Sequence, residues 1–501
     1  MKPSTLLLCA AATIGIQTTQ AAPVLLGIGS LSGSSDLAGL SGTLENGLSP
    51  NTLGGMGSGF TYAGGNTYLA LPDRGPNATS YAAGTPVDQT VSYIPRFQTM
   101  SMTLTARTSG LAFDVTPQLT NTTLFSSTTP LAYSAGSASL PSGAPSNNDA
   151  NSFYFSGRSD NFAPGNNSLN ANNARLDPEA IRLSNDGKSV FVTDEYGPYV
   201  YQFDRATGER TRTFTLPTNL AIAIPNGIGN TEASTNTSGR TNNKGMEGLA
   251  ITPDGTKLIG IMQANLLQDK KNSVRIVTID IATGATDEYA YQLTDGSGVS
   301  EILAINDHEF LVDERDGKGL TDGTSASVKK LYKIDLNGAQ SVLGMSGDLS
   351  AKAVAKTQFL DMKTALVAAG ISAADIPAKI EGMTFGQDVT VNGVLNHTLW
   401  IANDNDFLNI ITDSLHPAGV ANPNQFYVFG VTDADLNNAY IAQQIASVPA
   451  PQTITLMLSG LGLLGLWQRK TRRLTKAMAK RCKHFTNSLN PPTLAGTGNI
   501  A

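Results

Sequence analysis

The feature that most constrains the fold is a short strand–turn–strand segment that recurs five times along the chain. Its clearest copy runs from Glu247 to Met262, with an apolar strand on each side of a turn at Pro253-Asp254-Gly255. Proline presets one turn angle and Asp-Gly accepts the others, so this spacing predicts a β-hairpin. The other four copies begin at Ser58, Glu179, Glu301 and Glu381.

Several copies are followed by further strands, which extends them to four-stranded antiparallel meanders. One such pair is Tyr199–Phe203 with Arg212–Leu216, and another is Val274–Ile279 with Thr286–Leu293. One meander cannot bury both of its faces alone, so meanders that recur every ~50–80 residues are expected to stack around an axis. The pattern therefore predicts an all-β protein with the fold of a β-propeller.

Acidic residues recur with these strands and are expected to meet at the propeller channel. They lie at strand starts or at the ends of the adjoining strands: Glu179, Glu247, Glu301, Glu381, Asp73, Asp194, Asp313 and Asp404. A carboxylate that begins an apolar strand is unfavourable unless it is paired or metal-bound. Two structural alternatives stay open: the aspartates cap their own turns, or the glutamates accept backbone hydrogen bonds from a neighbouring blade.

The number of cysteines and the net charge argue against disulfides in the folded body and against a nucleic-acid partner. The two cysteines, Cys9 and Cys482, lie in predicted terminal segments, so no disulfide is expected in the folded body. The formal charge of −6 becomes −15 when Lys2 and the eight basic residues between 469 and 483 are set aside. An acidic body argues against a nucleic-acid partner and is compatible with cation binding.

Both ends of the chain are interpreted as export signals. Residues 1–21 predict a secretory signal peptide, with Lys2, an apolar run and a small-residue cleavage site. Residues 447–473 combine Val448-Pro449-Ala450-Pro451, a 14-residue apolar run and an arginine cluster, which resembles the PEP-CTERM sorting signal of Gram-negative bacteria. Two departures are Ala450, where that family has Glu, and the continuation of the chain past Arg473 as a basic, disordered tail, 474–501.

The PEP-CTERM resemblance implies transient membrane anchoring, processing by an exosortase, and a location at the cell surface, in the outer membrane or in the extracellular matrix. A plain C-terminal membrane anchor is the alternative. Between the two signals, residues 22–446 are predicted to form the propeller. Apolar spacing within residues 351–379 predicts a small helical insertion, and the polar stretch 217–244 is expected to cover one end of the channel.

Six ordered motifs identify a family. They are Leu176–Ile181, Val192–Tyr199, Asn243–Leu249, Leu311–Asp316, Lys379–Met383 and Asn403–Phe407. Over roughly residues 50–440 this chain resembles the phytase-like domain family, described by the words "esterase-like activity of phytase". The resemblance implies a secreted, six-bladed β-propeller with hydrolase activity on a small-molecule ester.

The same resemblance implies calcium, since β-propeller phytases hold phosphate esters with acidic side chains and calcium ions. Calcium takes six to eight oxygen ligands and suits carboxylate clusters. The candidate metal ligands are Asp177, Glu179, Glu247, Glu301, Glu381 and Asp404. The candidate substrate-binding cations are Arg74, Lys244 and Arg315. No catalytic residue is assigned.

Two classes of function follow from these observations. One is an exported, metal-dependent hydrolase of phosphate or related esters, and the other is a non-catalytic surface or matrix propeller that binds a ligand or partner. A lactonase-like propeller is a third alternative, which would also hold calcium in its channel. The sequence contains no Gly-x-Ser-x-Gly motif, so it gives no support for a serine esterase.

Overall fold

The computed structural model describes residues 22–78, 87–136, 141–163 and 168–446. The predicted signal peptide (1–21), sorting signal (447–473) and basic tail (474–501) lie outside the described residues. None of the helices within the described ranges has the length and apolar character needed to cross a bilayer.

The described chain starts with strand β1 (Val24–Leu31) and then forms a four-stranded sheet, blade 1. The strands of blade 1 are β2 (Gly59–Tyr62), β3 (Thr67–Leu71), β4 (Arg96–Ala106) and β5 (Phe113–Leu124). A two-stranded ribbon follows, made of β6 (Ser126–Ser127) and β7 (Phe153–Tyr154). The first predicted hairpin is therefore part of a full four-stranded sheet, and a short two-stranded ribbon follows that sheet.

Blades 2, 3 and 4 are consecutive meanders, each with four antiparallel strands. Blade 2 contains β8 (Ile181–Leu183), β9 (Ser189–Asp194), β10 (Tyr199–Asp204) and β11 (Arg210–Thr215). Blade 3 contains β12 (Met246–Ile251), β13 (Lys257–Met262), β14 (Ser273–Asp280) and β15 (Thr286–Gln292). Blade 4 contains β16 (Gly298–Ala304), β17 (Glu309–Arg315), β18 (Lys329–Asp335) and β19 (Lys356–Asp361).

Blade 5 joins the two ends of the described chain. Its strands are β20 (Lys379–Phe385), β21 (Val389–Val391), β22 (Val394–Asp404) and β25 (Asn424–Val431), and a separate ribbon is made of β23 (Ile410–Ile411) and β24 (Val420–Ala421). The outermost strand is β1, which pairs with β25 from Val24 opposite Gly430 to Leu31 opposite Asn424. The first strand therefore completes the last blade and closes the ring.

The described residues form five blades, so the expectation of six is wrong. The inner strands β2, β8, β12, β16 and β20 each contact the next, and β20 returns to β2. Between β5 and β8 the described chain has only the two-residue strands of the ribbon. Glycine, proline, serine and asparagine dominate residues 136–173, and these residues are poor strand formers. The five recurrent segments correspond to the five blades.

The helical insertion near 351–379 is smaller than predicted. Only a 3₁₀ turn (Ser350–Lys352) and helix α2 (Met362–Ala368) are helical, because Lys356–Asp361 pairs with β18 as the outer strand of blade 4. Strand pairing overrides the local apolar spacing there. In the stretch 217–244 the structure has a 3₁₀ turn (Thr218–Leu220) and the short helix α1 (Gly229–Thr235).

Glycines let neighbouring inner strands approach closely. A Cβ built on Gly248 would lie 2.7 Å from the backbone nitrogen of Ile302, and one on Gly382 would lie 2.7 Å from that of Phe60. Such distances are incompatible with a side chain, so these positions need glycine. Glutamate precedes both glycines in sequence, which sets the carboxylates at one end of a narrow channel.

Two features close the channel at its far end. Arg182 reaches from β8 to the carbonyl oxygens of Phe60 (2.9 Å) and Ile302 (3.1 Å), so its guanidinium fills the channel between blades 1, 2 and 4. Residues 439–446 then cross the end of the inner strands, where the Ile441 nitrogen donates to the Ile305 oxygen (2.9 Å) and the Ala446 nitrogen to the Asn185 oxygen (2.7 Å).

Candidate functional site

The candidate site lies at the glutamate end of the channel, where the inner strands begin, and we call this end the mouth. Seven carboxylates and three cations from all five blades gather there: Asp73, Asp177, Glu179, Glu195, Glu247, Glu381, Asp404, Arg74, Arg315 and Lys379. The excess of acids gives the mouth a negative potential, which favours cations.

Three carboxylates converge on one point. Asp177, Glu179 and Glu195 are buried and each offers an oxygen atom within 4.8 Å of the others. Asp177 accepts two hydrogen bonds from Arg74, from its backbone nitrogen (3.1 Å) and from Nη1 (2.6 Å). Glu195 accepts from the Gly245 backbone nitrogen (2.7 Å). We call these three carboxylates the acidic triad.

Glu179 and Glu247 stand out because neither forms an ion pair in the described structure, and Arg315 offsets the charge of Glu247 only in part. Glu179 is 8% exposed and Glu247 is 5% exposed, yet neither carboxylate forms a hydrogen bond or an ion pair with a described residue. Burial, followed by the charge of Glu247, raises the pKa of Glu179 well above its usual range. Burial, followed by the charge of Glu195, does the same to Glu247. Buried unpaired carboxylates are unfavourable, so a cation or a proton is required here.

On the blade 5 side, basic residues already neutralise the acids. Arg315 forms an ion pair with Glu381 through Nη2. Lys379 Nζ lies 2.7 Å from an Asp404 oxygen and 2.6 Å from an Asp406 oxygen. Asp404, predicted from the sequence as a metal ligand, is thus paired with an ammonium group, although burial still raises its pKa to about 6.

Three of the aspartates at strand ends also shape turns. Asp73 accepts from the Gly75 nitrogen (2.9 Å), Asp194 from the Tyr196 nitrogen (3.0 Å) and Asp404 from the Asp406 nitrogen (2.7 Å). These contacts agree with the alternative that the aspartates cap their own turns. Asp313 differs, because it accepts from the Ser300 hydroxyl (3.1 Å), and burial raises its pKa to about 7.

Glu301 does not join the other glutamates. A bulge leaves Glu247 as the extra residue of β12, whereas the bulge in β16 leaves Ser300 as the extra residue. Ser300 therefore occupies the position of Glu247, and Glu301 lies one residue deeper. There it pairs with Arg182 (2.8 Å) and accepts from the Leu249 nitrogen (3.0 Å), which is the inter-blade alternative left open by the sequence.

The candidate substrate-binding cations also differ in whether they lie at the mouth. Arg74 and Arg315 lie at the mouth, whereas the half-exposed Lys244 has no polar side-chain contact with a described residue. Its neighbour Asn243 takes part instead, accepting from Arg74 Nη1 (2.6 Å) through Oδ1. Sequence reasoning also left out Glu195 and Lys379. Both could have been found as sequence neighbours of predicted site residues, since Glu195 follows the recurrent Asp194 and Lys379 precedes Ile380-Glu381.

Comparison with known proteins gives one family and several distant likenesses. An uncharacterized secreted protein of Arthroderma benhamiae is 33% identical over 137 residues, which cover 23% of this chain and 26% of that protein. This chain thus spans about a quarter of the length of that relative.

Among solved structures, the hydrazine synthase of Kuenenia stuttgartiensis is 12% identical, with a TM-score of 0.30 over 74% of this chain and 80% of that chain. A luciferin-regenerating enzyme is 10% identical, with a TM-score of 0.30 over 79% and 97%. Likenesses this remote carry no functional argument. The family model described as "Phytase-like: Esterase-like activity of phytase" matches residues 51–407. That match covers most of the chain, and the protein belongs to the phytase-like family.

Proposed function

We propose that this protein is an exported hydrolase that acts on phosphate or related esters at the acidic mouth and depends on a divalent cation. The observation that carries the proposal is the acidic triad with Glu247 beside it, since the buried carboxylates of Glu179 and Glu247 lack a hydrogen-bond or ion-pair partner among the described residues. Family membership supports ester hydrolysis as the class of reaction.

The triad fits a hard cation such as calcium. Its ligands are all carboxylate oxygens, which calcium prefers, and one of them belongs to the unpaired Glu179. Asp177, Glu179 and Glu195 would hold the ion, with Glu247 next to them. A cation bound there would neutralise the buried charges and polarise a phosphoryl oxygen.

The neighbouring side chains have distinct tasks in this proposal. Arg74 lies on the triad and holds Asp177 in place, with Nη1 3.9 Å from Glu195. Its guanidinium and that of Arg315 flank the mouth and orient an anionic ester group. Glu247 has no hydrogen-bond partner among the described residues, and burial raises its pKa well above the usual range, as suits a group that exchanges a proton. It is positioned to receive a proton from water or to give one to a leaving oxygen.

A non-catalytic binding propeller is the second candidate, and one observation favours it. Asp404, Glu381 and Glu301 are each already paired with a basic side chain. Fewer free carboxylates remain than the sequence suggested, and a cation on the triad alone serves to hold a ligand. A measurement of ester turnover distinguishes the hydrolase from the binding propeller.

Export is part of the proposal. The relative in Arthroderma benhamiae carries the word secreted in its name, and the sequence predicts a signal peptide at residues 1–21. Sorting through residues 447–473, with an exosortase and the membrane as partners, stays a prediction.

The test is calcium titration of residues 22–446 by calorimetry, together with hydrolysis of a generic phosphate monoester and a carboxylic ester. We expect calcium binding and calcium-dependent turnover, with Glu179→Gln losing both and Glu247→Gln losing turnover. A matched control is Asp186→Asn, which removes an exposed turn carboxylate at the far end of blade 2. Calcium binding without turnover on either ester would favour the binding propeller, and absence of both would refute the metal centre.

A further inference from the structure

A second cavity lies beside the acidic triad, beneath the stretch 217–244. Arginines line it together with Glu195, Ser159 and Asn242. The arginines are Arg74, Arg175 and Arg240. Glu195 belongs both to this cavity and to the triad, so the two sites share a wall.

Arg175 is unusual among the buried arginines of the described structure. Six arginines are buried there, and five have a carboxylate partner within 4.0 Å: Arg96, Arg158, Arg182, Arg240 and Arg275. Arg175 is 3% exposed and forms no ion pair with a described residue. Glu232 and Asp194 offset part of its charge, but no carboxylate of a described residue forms an ion pair with it.

The surroundings of Arg175 leave part of its guanidinium unsatisfied. Nη1 donates to the Ser159 oxygen (3.2 Å), and the group lies over the rings of Phe162 (4.6 Å) and Tyr196 (5.3 Å). Nη2 is buried without a partner among the described residues. Burial lowers the pKa of Arg175, and the charges of Glu232 and Asp194 offset this effect only in part.

Two of the three acids that line this cavity are already engaged. Glu232 pairs with Arg240 (3.2 Å) and accepts from the Asn226 nitrogen (3.0 Å), and Glu195 accepts from the Gly245 nitrogen. The third, Asp88, is half-buried and has no polar side-chain contact with a described residue. Two other arginine nitrogens, Nε of Arg74 and Nε of Arg240, are also buried without a described partner. Three nitrogens of the arginines that line the cavity therefore lack an acceptor among the described residues.

We propose that this cavity is a binding site for a small oxyanion, with Arg175 as its anchor. Arg175 Nη2 would donate to the anion and pair with its charge, since guanidinium groups bind phosphate and carboxylate oxygens strongly. The inference goes beyond hydrolysis, because it concerns an anion that lies next to the triad and does not occupy it.

The test is calorimetric titration of the purified full chain with inorganic phosphate in a chelating buffer, so that no divalent cation bridges the anion. Sulfate and acetate at equal ionic strength show whether a tetrahedral or a planar oxyanion is preferred. We expect phosphate to bind, and Arg175→Met to weaken binding at least about tenfold. Arg210→Met is the matched control, because Arg210 is also stacked on aromatic rings and lacks an acidic partner among the described residues, but lines no part of this cavity.

Thermal melting separates anion binding from a merely structural role of Arg175. Without phosphate, Arg175→Met should melt no lower than the wild type, because it removes a buried charge that forms no ion pair with a described residue. Phosphate should raise the melting temperature of the wild type and of Arg210→Met only. If Arg175→Met fails to fold, Arg175→Lys replaces it, and it should bind phosphate several-fold more weakly. Absence of phosphate binding, or equal binding by the Arg175 variants, would overturn the proposal.

Discussion

Replacing Arg182 with methionine should destabilise the propeller more than any single change at the mouth. Arg182 is 2% exposed, pairs with Glu301 at 2.8 Å, and donates to the Phe60 and Ile302 oxygens. Removal of one member of a buried ion pair costs about 3–5 kcal/mol because it leaves a buried charge uncompensated. We expect a loss of that size in the free energy of unfolding, measured by urea denaturation at pH 8.

Two companion variants give the expected pattern. Glu301→Gln keeps an acceptor for the Leu249 nitrogen and leaves Arg182 with its carbonyl partners, so it should cost less, about 1–3 kcal/mol. The double variant should cost less than the sum of the two single losses, since neither charge is then left alone.

The loss in Arg182→Met should also shrink at pH 5. Burial raises the pKa of Glu301 to about 7 even with the arginine present, so at pH 5 the unpaired carboxyl binds a proton and stays neutral. An Arg182→Met cost below ~1 kcal/mol at pH 8, or additive single and double variants, would refute the view that this pair holds the channel together.

Three further predictions concern the mouth and the ring. Glu179→Gln should raise the melting temperature of the calcium-free protein at pH 8, because it removes a buried charge, and should abolish the shift that calcium produces. Without calcium, the free energy of unfolding should fall as pH rises from about 4.5 to about 7, since the folded state keeps protons that the unfolded state has released. Urea denaturation at a series of pH values checks this. A rise in the free energy of unfolding over that interval would contradict it. The groups responsible are those whose pKa burial raises to about 7: Asp194, Glu195, Glu301 and Asp313. Gly248→Ala should cost at least ~1–3 kcal/mol in the same assay because its Cβ meets the backbone of blade 4, whereas Gly317→Ala, where a Cβ meets nothing within 4 Å, should be nearly neutral.

The hairpin repeat was readable from the sequence because apolar strands and Asp-Gly turns are local signals. The position of Glu301 was not, since a bulge moves it one residue relative to Glu247 and no local pattern marks a bulge. Lys356–Asp361 was interpreted as part of a helical insertion because its pairing partner, β18, lies some twenty residues away in sequence.

The candidate site was predicted only in part, because the sequence shows local patterns but not contacts between distant strands. Carboxylates at strand starts are visible in the sequence, but which of them is neutralised depends on contacts between blades. Lys379 neutralises Asp404, and Arg182 neutralises Glu301, whereas Glu179 is left without a described partner. The blade count was wrong because it followed the resemblance rather than the five copies present in the chain.

The pairing of β1 with β25 has a consequence for the order in which this molecule can assemble. Val24 and Gly430 are partners across the closure, so the ring is incomplete until nearly all of the propeller has emerged from the ribosome or the export channel. Contacts of such long sequence separation form late and slowly. If the chain is exported as we propose, the ring would close only after the last blade has left the export channel.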